Sequence, residues 1–340
     1  SNLISSPLAT PRLTLSAAFD NFVLRRRYWD SLVSYKRDGH AVLRERLANA
    51  DLTVFRWMNG LLGDKLFSNE DWQPKVVWAL DDMNPFTGVC HYSGVCRGFE
   101  SGCYSCPALR RPFNSFARVN LEQKKQLSGD MISSYVAPTE WIERLFLSSE
   151  LGREKRVKQI LNPLSDEFFS YRINRQSKSF SGRFLIIAAN LDDPTKGSWD
   201  VLPTLQRVSS NRNSHLTLIG RASAKLKRAL PDAHFTGMLL AREIISHMRN
   251  SDLLLVPSLF ENAGTVVAEA ASQGLPTIAR NVGGMPQMTG YGEFGYLFES
   301  LESLDGLMSN MQSKEILAKG SIAQEWSQQM KPDSIARQYA

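Results

Sequence analysis

Two glutamates, Glu261 and Glu269, stand eight positions apart in the run Pro257-Ser258-Leu259-Phe260-Glu261-Asn262-Ala263-Gly264-Thr265-Val266-Val267-Ala268-Glu269-Ala270. An apolar strand pattern, Leu253 to Val256, leads into this run. A turn follows and a helix opens, which puts Glu261 in the turn and Glu269 about two helical turns later. Free backbone N–H groups and the positive helix end make such a start an anion site. Asn262, Ala263, Gly264 and Thr265 supply those N–H groups. Ala263 and Gly264 are small enough for a ligand to come close to the backbone. A carboxylate there repels phosphate unless the ligand also brings hydroxyls that donate to it. A nucleotide-diphosphate sugar brings both. The plainer alternative is a surface turn ahead of an ordinary amphipathic helix.

Lys196 and Gly197 follow an apolar strand pattern, Phe184 to Ala188, and Arg221 follows another, Leu216 to Ile219. Cations at strand ends can neutralise a leaving diphosphate as its charge develops. A solvated loop lysine is the ordinary alternative. Asp81 and Asp82 end a strand pattern, Lys75 to Leu80. They read either as turn or helix caps or as contacts to a substrate hydroxyl, with Asp82 the candidate catalytic carboxylate.

The chain's four cysteines, Cys90, Cys96, Cys103 and Cys106, lie within seventeen residues as C-x5-C-x6-C-x2-C. That clustering suits a tetrathiolate structural zinc site in a long loop poor in apolar residues. Two disulfides and free thiols are the alternatives, and His91 is a substitute ligand. Four thiolates would leave no open coordination position for catalysis.

The elements that must position these residues are legible in part. The chain has 340 residues, 43% hydrophobic and 22% charged, enough for two domains. Strand patterns at Leu52–Trp57, Lys75–Leu80, Ser134–Pro138 and Val157–Leu161 mark the first half, with a helix at Glu140–Leu147 capped by Thr139. After the Asn174–Ser181 stretch, strands at Phe184–Ala188, Leu216–Ile219, Asp252–Val256 and Pro276–Ala279 alternate with helical patterns such as Ser198–Val208 and Ala241–Met248. This alternation predicts a doubly wound parallel sheet. The domain boundary is expected at 164–182, giving a first domain over 1–165 and a second over 182–322. Residues 313–340 read as two helices, the last of them, 323–340, able to cross back. Residues 1–50 show no Gly-rich turn after a first strand, so either the first domain lacks its start or it binds no phosphate there.

The motifs resemble those of retaining glycosyltransferases of the GT-B type, the bacterial group with an E-x7-E motif. Glu261 and Glu269 match that motif. Gly274-Leu275-Pro276-Thr277-Ile278-Ala279-Arg280-Asn281-Val282-Gly283-Gly284-Met285-Pro286 is similar to the family's G-x-P-V-I-A…V-G-G-x-P run. Asp192 to Gly197 resembles its K-G loop, and His234 to Gly237 the loop beside the base. In the first half, Trp78 to Gly88 resembles a W-x-L-H-D-M-x-P-F-T-G segment, and Val136 to Trp141 a V-A-P-S-x-W turn. Asp81 replaces a usual His, and Asn190 an Arg that joins the Lys on the pyrophosphate.

The resemblance implies an α/β fold of two Rossmann-like domains with an interdomain cleft, the second binding the donor and the first the acceptor. It implies that Glu269 accepts from ribose hydroxyls and that Glu261 contacts the donor sugar. It implies hexosyl transfer from a UDP- or GDP-sugar to a glycan or lipid-linked acceptor of bacterial surface polysaccharide, with the anomeric configuration retained. In that chemistry the leaving phosphate helps remove the acceptor proton, so no protein nucleophile and no catalytic cofactor are required. A non-catalytic sugar-binding protein of the same fold and a nucleotide-sugar epimerase or hydrolase remain alternatives.

The formal charge is +6. Arg25-Arg26-Arg27-Tyr28-Trp29, Lys124-Lys125 and the Arg153–Lys158 stretch make the first half basic. This is either a solvated face or a surface for anionic lipid headgroups. Nucleic acid is not expected as a partner, because no stacking motif or recognition helix accompanies the charge. No apolar run reaches the ~20 residues of a membrane helix, and no signal-peptide core opens the chain. A cytoplasmic protein, peripheral to the inner membrane, is the expectation.

Overall fold

The computed structural model describes residues 50–56, 75–130, 132–170 and 180–339. The expectations for residues 1–48, including the Arg25–Trp29 cluster, and for Trp57 lie outside these residues. The chain divides into two units: residues up to Ala137 with Ile142–Lys158, and Pro138–Trp141 with the residues from Gln159 onward.

The first unit is built on a four-stranded sheet ordered β1 (Leu52–Phe55), β2 (Lys75–Ala79), β3 (Ile132–Ala137), β4 (Val157–Gln159). The β1–β2 and β2–β3 pairs are parallel. Aromatic residues fill its core. Trp78 stacks on Tyr135 at 6.3 Å, Tyr135 meets Phe146 at 4.5 Å, and Phe86 meets both Phe99 and Phe146 edge-on. Between β2 and helix α1 (Phe116–Asp130) runs the cysteine loop, whose regular structure is limited to short 3-10 turns.

The basic-face expectation changes here. Lys124 is buried and donates to the carbonyls of Asn84 (2.6 Å) and Thr87 (2.9 Å). Lys125 pairs with Glu122 and Glu150, and Glu150 also takes Arg118. These cations are spent inside the unit.

The second unit holds a six-stranded sheet in the order β10-β9-β8-β5-β6-β7, with every pair parallel. Its strands are β5 (Arg183–Asn190), β6 (His215–Arg221), β7 (His234–Gly237), β8 (Leu253–Val256), β9 (Thr277–Arg280) and β10 (Tyr296–Phe298). All four β8 residues are buried. Leu254 and Val256 point into one apolar cluster with Ile245, Met248, Val267 and Ala268, while Leu253 and Leu255 enter another with Leu205, Leu226, Leu304 and Ile316. Both faces are therefore covered by helices, which is why these strands read as continuous apolar runs rather than alternating ones.

Leu164 and Phe168 belong to the first of those clusters. The Leu164 amide donates to the Met330 carbonyl at 3.0 Å, and Gln273 Nε2 to the Phe168 carbonyl at 2.7 Å. Leu164 and Phe168 are thus part of the second unit's core, and that unit takes in the chain from Gln159 onward. The two C-terminal helices, Ser313–Ser327 and Pro332–Tyr339, belong to the second unit as well.

Candidate functional site

The strand order reverses between β5 and β8. The chain proceeds from β5 outward through β6 and β7, then returns to lay β8 on the other side of β5. Loops leaving the carboxyl ends of two such strands diverge and open a crevice, the usual ligand position in doubly wound sheets. The β5 loop carries Lys196 and Gly197; the β8 loop carries Glu261 to Gly264.

The two loops are tied together at the backbone. The Leu259 amide donates to the Thr195 carbonyl at 2.8 Å. Gly197 sits at φ +71, and a Cβ there would lie 2.0 Å from the Pro257 carbonyl oxygen. Asp193 accepts from the Thr195 amide at 2.9 Å, and Asp192 accepts from the Ser223 hydroxyl at 2.7 Å and from the Trp199 indole at 3.3 Å. The two aspartates beside Lys196 are therefore loop fasteners. Lys196 Nζ reaches Glu261 Oε2 at 2.9 Å.

A third loop backs the β8 turn. The Gly284 amide donates to the Glu261 carbonyl at 3.2 Å, and Cβ atoms on Gly283 and Gly284 would lie 1.8 Å and 2.0 Å from the carbonyl oxygens of Glu261 and Asn262. Arg280 Nε donates to the Pro257 carbonyl at 3.2 Å, and its guanidinium also pairs with Asp200. Sequence reasoning gave Arg280 no role. Its signal was only its place at the end of a strand neighbouring β8.

The helix that opens after this turn, Thr265–Ser272, starts from Gly264 in the left-handed region at φ +43, with no side chain capping it. The Val267 amide donates to the Gly264 carbonyl at 2.7 Å, and the N–H groups ahead of it have the helix-start position that can hold an anion. Within the turn, Asn262 and Ala263 are buried. Glu269 is half-buried on this helix, and burial pushes its carboxyl up to about 7. Arg221 is exposed at the end of β6, in register with Asn190 on β5. No hydrogen bond joins it to the Lys196–Glu261 pair, whereas the Asn190 carboxamide oxygen accepts from the Asp192 amide at 3.2 Å.

The turn Pro138–Trp141 belongs to this unit. The Thr139 hydroxyl donates to Asn262 Oδ1 at 2.7 Å, with both residues buried. The Glu140 amide donates to Gln287 Oε1 at 2.7 Å, and Tyr291 donates to Glu140 at 3.0 Å. Thr139 was expected only as a helix cap.

In the first unit, Asp82 is buried, pairs with His91 Nδ1, and accepts from the Asn84 amide at 2.7 Å. Asp81 holds Arg56 through both carboxylate oxygens, at 2.5 and 3.1 Å. The Asn84 bond makes Asp82 a turn cap, whereas the pairs with His91 and Arg56 are ion pairs that neither sequence reading named. The four cysteines are free thiols lining one cavity of about 280 Å³. Among the described residues, no three or more His, Cys, Asp or Glu side chains stand at metal-holding geometry. No helix among them is long and apolar enough to cross a membrane.

Fold and topology together define an α/β protein of two Rossmann-like domains, with Lys196 and Glu261 paired at the switch point of the second. Residues 182–312 match the family model described as glycosyl transferases group 1. The chain is 33% identical over 106 residues to the sulfoquinovosyl transferase SQD2 of Arabidopsis thaliana, covering 28% of this chain and 21% of that protein. It is 21% identical over 215 residues to the putative colanic acid biosynthesis glycosyl transferase WcaC of Escherichia coli K12, covering 60% and 51%. The chain thus spans between about a fifth and a half of the length of these curated relatives. Among solved structures, Anabaena Alr3699/HepE in complex with UDP and glucose aligns with a TM-score of 0.62 at 17% identity, over 88% of this chain and 79% of that one. WaaG, a glycosyltransferase involved in lipopolysaccharide biosynthesis, aligns at 0.57 and 18% identity, over 78% and 74%. The fold is the GT-B fold of these neighbours.

Proposed function

We propose that this chain is a retaining hexosyltransferase that takes its sugar from a nucleotide-diphosphate donor. The observation that carries this reading is the Lys196–Glu261 pair at the switch point, beside a helix start that no side chain caps. The diphosphate would lie on the N–H groups of Asn262 to Thr265, with Lys196 neutralising charge as the sugar leaves. Glu261, released from Lys196 by the phosphate, would accept from the sugar's hydroxyls. Glu269 would accept from the ribose, and Gly197 would hold the lysine loop against the β8 turn. Catalysis would need no cofactor. HepE is a neighbour whose complexes hold UDP and UDP-glucose, which makes UDP the first nucleotide to try, with GDP second. The acceptor would be a glycan or lipid-linked sugar, met in the cytoplasm at the inner-membrane surface.

A second reading is a sugar-binding protein of the same fold that turns nothing over. It is favoured by the engagement of Asp82 with His91 and by Asn190 in place of a phosphate-binding arginine. Thermal shift with UDP, GDP and ADP, on wild type and Glu269→Ala, tests the donor site, because a ligand that binds only the folded form raises stability. One nucleotide should stabilise the wild type and not the variant. Product analysis with and without acceptor then separates transferase, binding protein and epimerase. No shift with any of the three nucleotides would sink the donor-site reading.

A further inference from the structure

The cysteine loop, residues 83–112, sends Met83, Phe86 and Phe99 into the buried core of the first unit. Around the sulfurs themselves the buried cluster is small: Val89, Ala108, Leu109 and Ala117 with Cys106, and Cys90 and Cys103 packed against them. All four sulfurs face one cavity.

The backbone is arranged for sulfur that carries charge. The Gly88 amide donates to Cys103 Sγ and the Gly98 amide to Cys96 Sγ, each at 3.4 Å. A neutral thiol is a weak acceptor, whereas hydrogen bonds to a thiolate stabilise its charge. Cys103 itself is at φ +54, a left-handed conformation that is uncommon for a residue with a side chain. It follows Gly102 at φ +97, so the backbone is bent to aim the C-x2-C pair inward. A second buried group supports the same arrangement. Lys124 is buried beside the loop and donates to neutral oxygens of Asn84 and Thr87. A buried ammonium is stabilised by anionic neighbours, and thiolates in this loop would be such neighbours.

We propose that Cys90, Cys96, Cys103 and Cys106 bind one zinc ion as a tetrathiolate, and that this ion fixes the 83–112 loop. Each thiol gives its proton to solvent as its sulfur–zinc bond forms, and no electron is transferred. His91 is left out of the ligand set because it does not line the cavity that the four sulfurs face. The site is independent of the donor reading and would stand if that failed.

The test uses the full chain without a metal-binding tag, purified under reducing conditions and dialysed against a weak chelator. Elemental analysis should give one zinc per chain. A mercurial reagent should release it into a chromophoric chelator in step with loss of four thiols. Cobalt exchange should give the thiolate-to-metal absorption of a tetrahedral tetrathiolate. Cys96→Ser and Cys106→Ser should each lower retained zinc by at least about tenfold. Because the wild-type readouts need no variant, a misfolded mutant would not obscure the result. Four rapidly reactive thiols with no retained metal would overturn the proposal. So would two disulfides in the freshly isolated chain, or iron in place of zinc.

Discussion

Lys196 and Glu261, sixty-five positions apart, meet at 2.9 Å where the strand order of the second sheet reverses. The pair is poorly placed to serve stability, since the lysine side chain is 36% exposed and exposed ion pairs contribute ~0–1 kcal/mol. It is well placed to be exchanged. A diphosphate bound on the neighbouring helix start competes for the ammonium and leaves the carboxylate facing the sugar. Lys196→Met should therefore change the urea midpoint little while lowering kcat/KM by about 100-fold, the scale of losing one charge-stabilising donor. Steady-state kinetics beside a denaturation curve checks this. Unchanged kinetics in a folded variant would remove Lys196 from the reaction.

Glu269 gives a pH dependence with opposite signs for stability and binding. Burial raises its folded value to about 7, from an ordinary 4.5. Between those values the folded chain holds the proton more firmly than the unfolded chain. This contribution to stability therefore declines as pH rises through that window and is level above it. Ribose hydroxyls need the carboxylate as acceptor, so nucleotide affinity should fall below about pH 7, at a limiting slope of about tenfold per pH unit. Titration calorimetry from pH 5.5 to 8.5 reads that slope, and Glu269→Gln should flatten it. The same variant should be more stable than wild type at pH 8 by ~1 kcal/mol, the usual trade at a binding site.

The second unit was largely legible because its strands are buried on both faces. Leu253 to Val256 and Phe184 to Ala188 announce themselves as apolar runs, and Gly197, Gly264 and Gly283 stand where a Cβ or a negative φ would break the loop. The first unit was less so. Asp81 and Asp82 are neighbours in sequence, and nothing local says that one takes a surface arginine and the other a buried histidine. Lys124 and Lys125 look like one basic patch, but only distant carbonyls and Glu150 decide that both are consumed internally. Thr139 reads as a cap because the helix follows it at once. Its bond to Asn262, more than a hundred residues on, has no local signature.

The glycine requirement at 283 is sharp enough to test alone. Its φ of +58 is unfavourable for any side chain, and a Cβ would lie 1.8 Å from the Glu261 carbonyl oxygen. Gly283→Ala must move the turn that carries Glu261, at a cost of ~1–3 kcal/mol for the strain. Gly306 is the control. It lies inside the helix Leu301–Ser309, with nothing within 4 Å of its would-be Cβ. Gly306→Ala should stabilise by ~0.5–1 kcal/mol. Urea midpoints that move in opposite directions, with donor KM raised only for Gly283→Ala, are the expected pair. Equal midpoints would show that the turn is soft and does not fix Glu261.

Thr139 separates hydroxyl from shape. Its Oγ1 donates to Asn262 Oδ1 at 2.7 Å with both groups removed from water, so the carboxamide's orientation is set from the turn that precedes the helix Glu140–Ser148. Thr139→Val keeps the volume and deletes the donor, leaving a buried carbonyl oxygen short of a partner at a cost of ~1–3 kcal/mol. Thr139→Ser keeps the donor and removes only a methyl group, so it should lose ~1 kcal/mol or less. If the hydroxyl holds Asn262 in place beside the helix start, donor affinity should follow the hydroxyl rather than the stability. Valine should weaken nucleotide binding several-fold even at temperatures where it is fully folded, and serine should bind as wild type does. Equal affinity in the two variants would leave Thr139 a helix cap and nothing more.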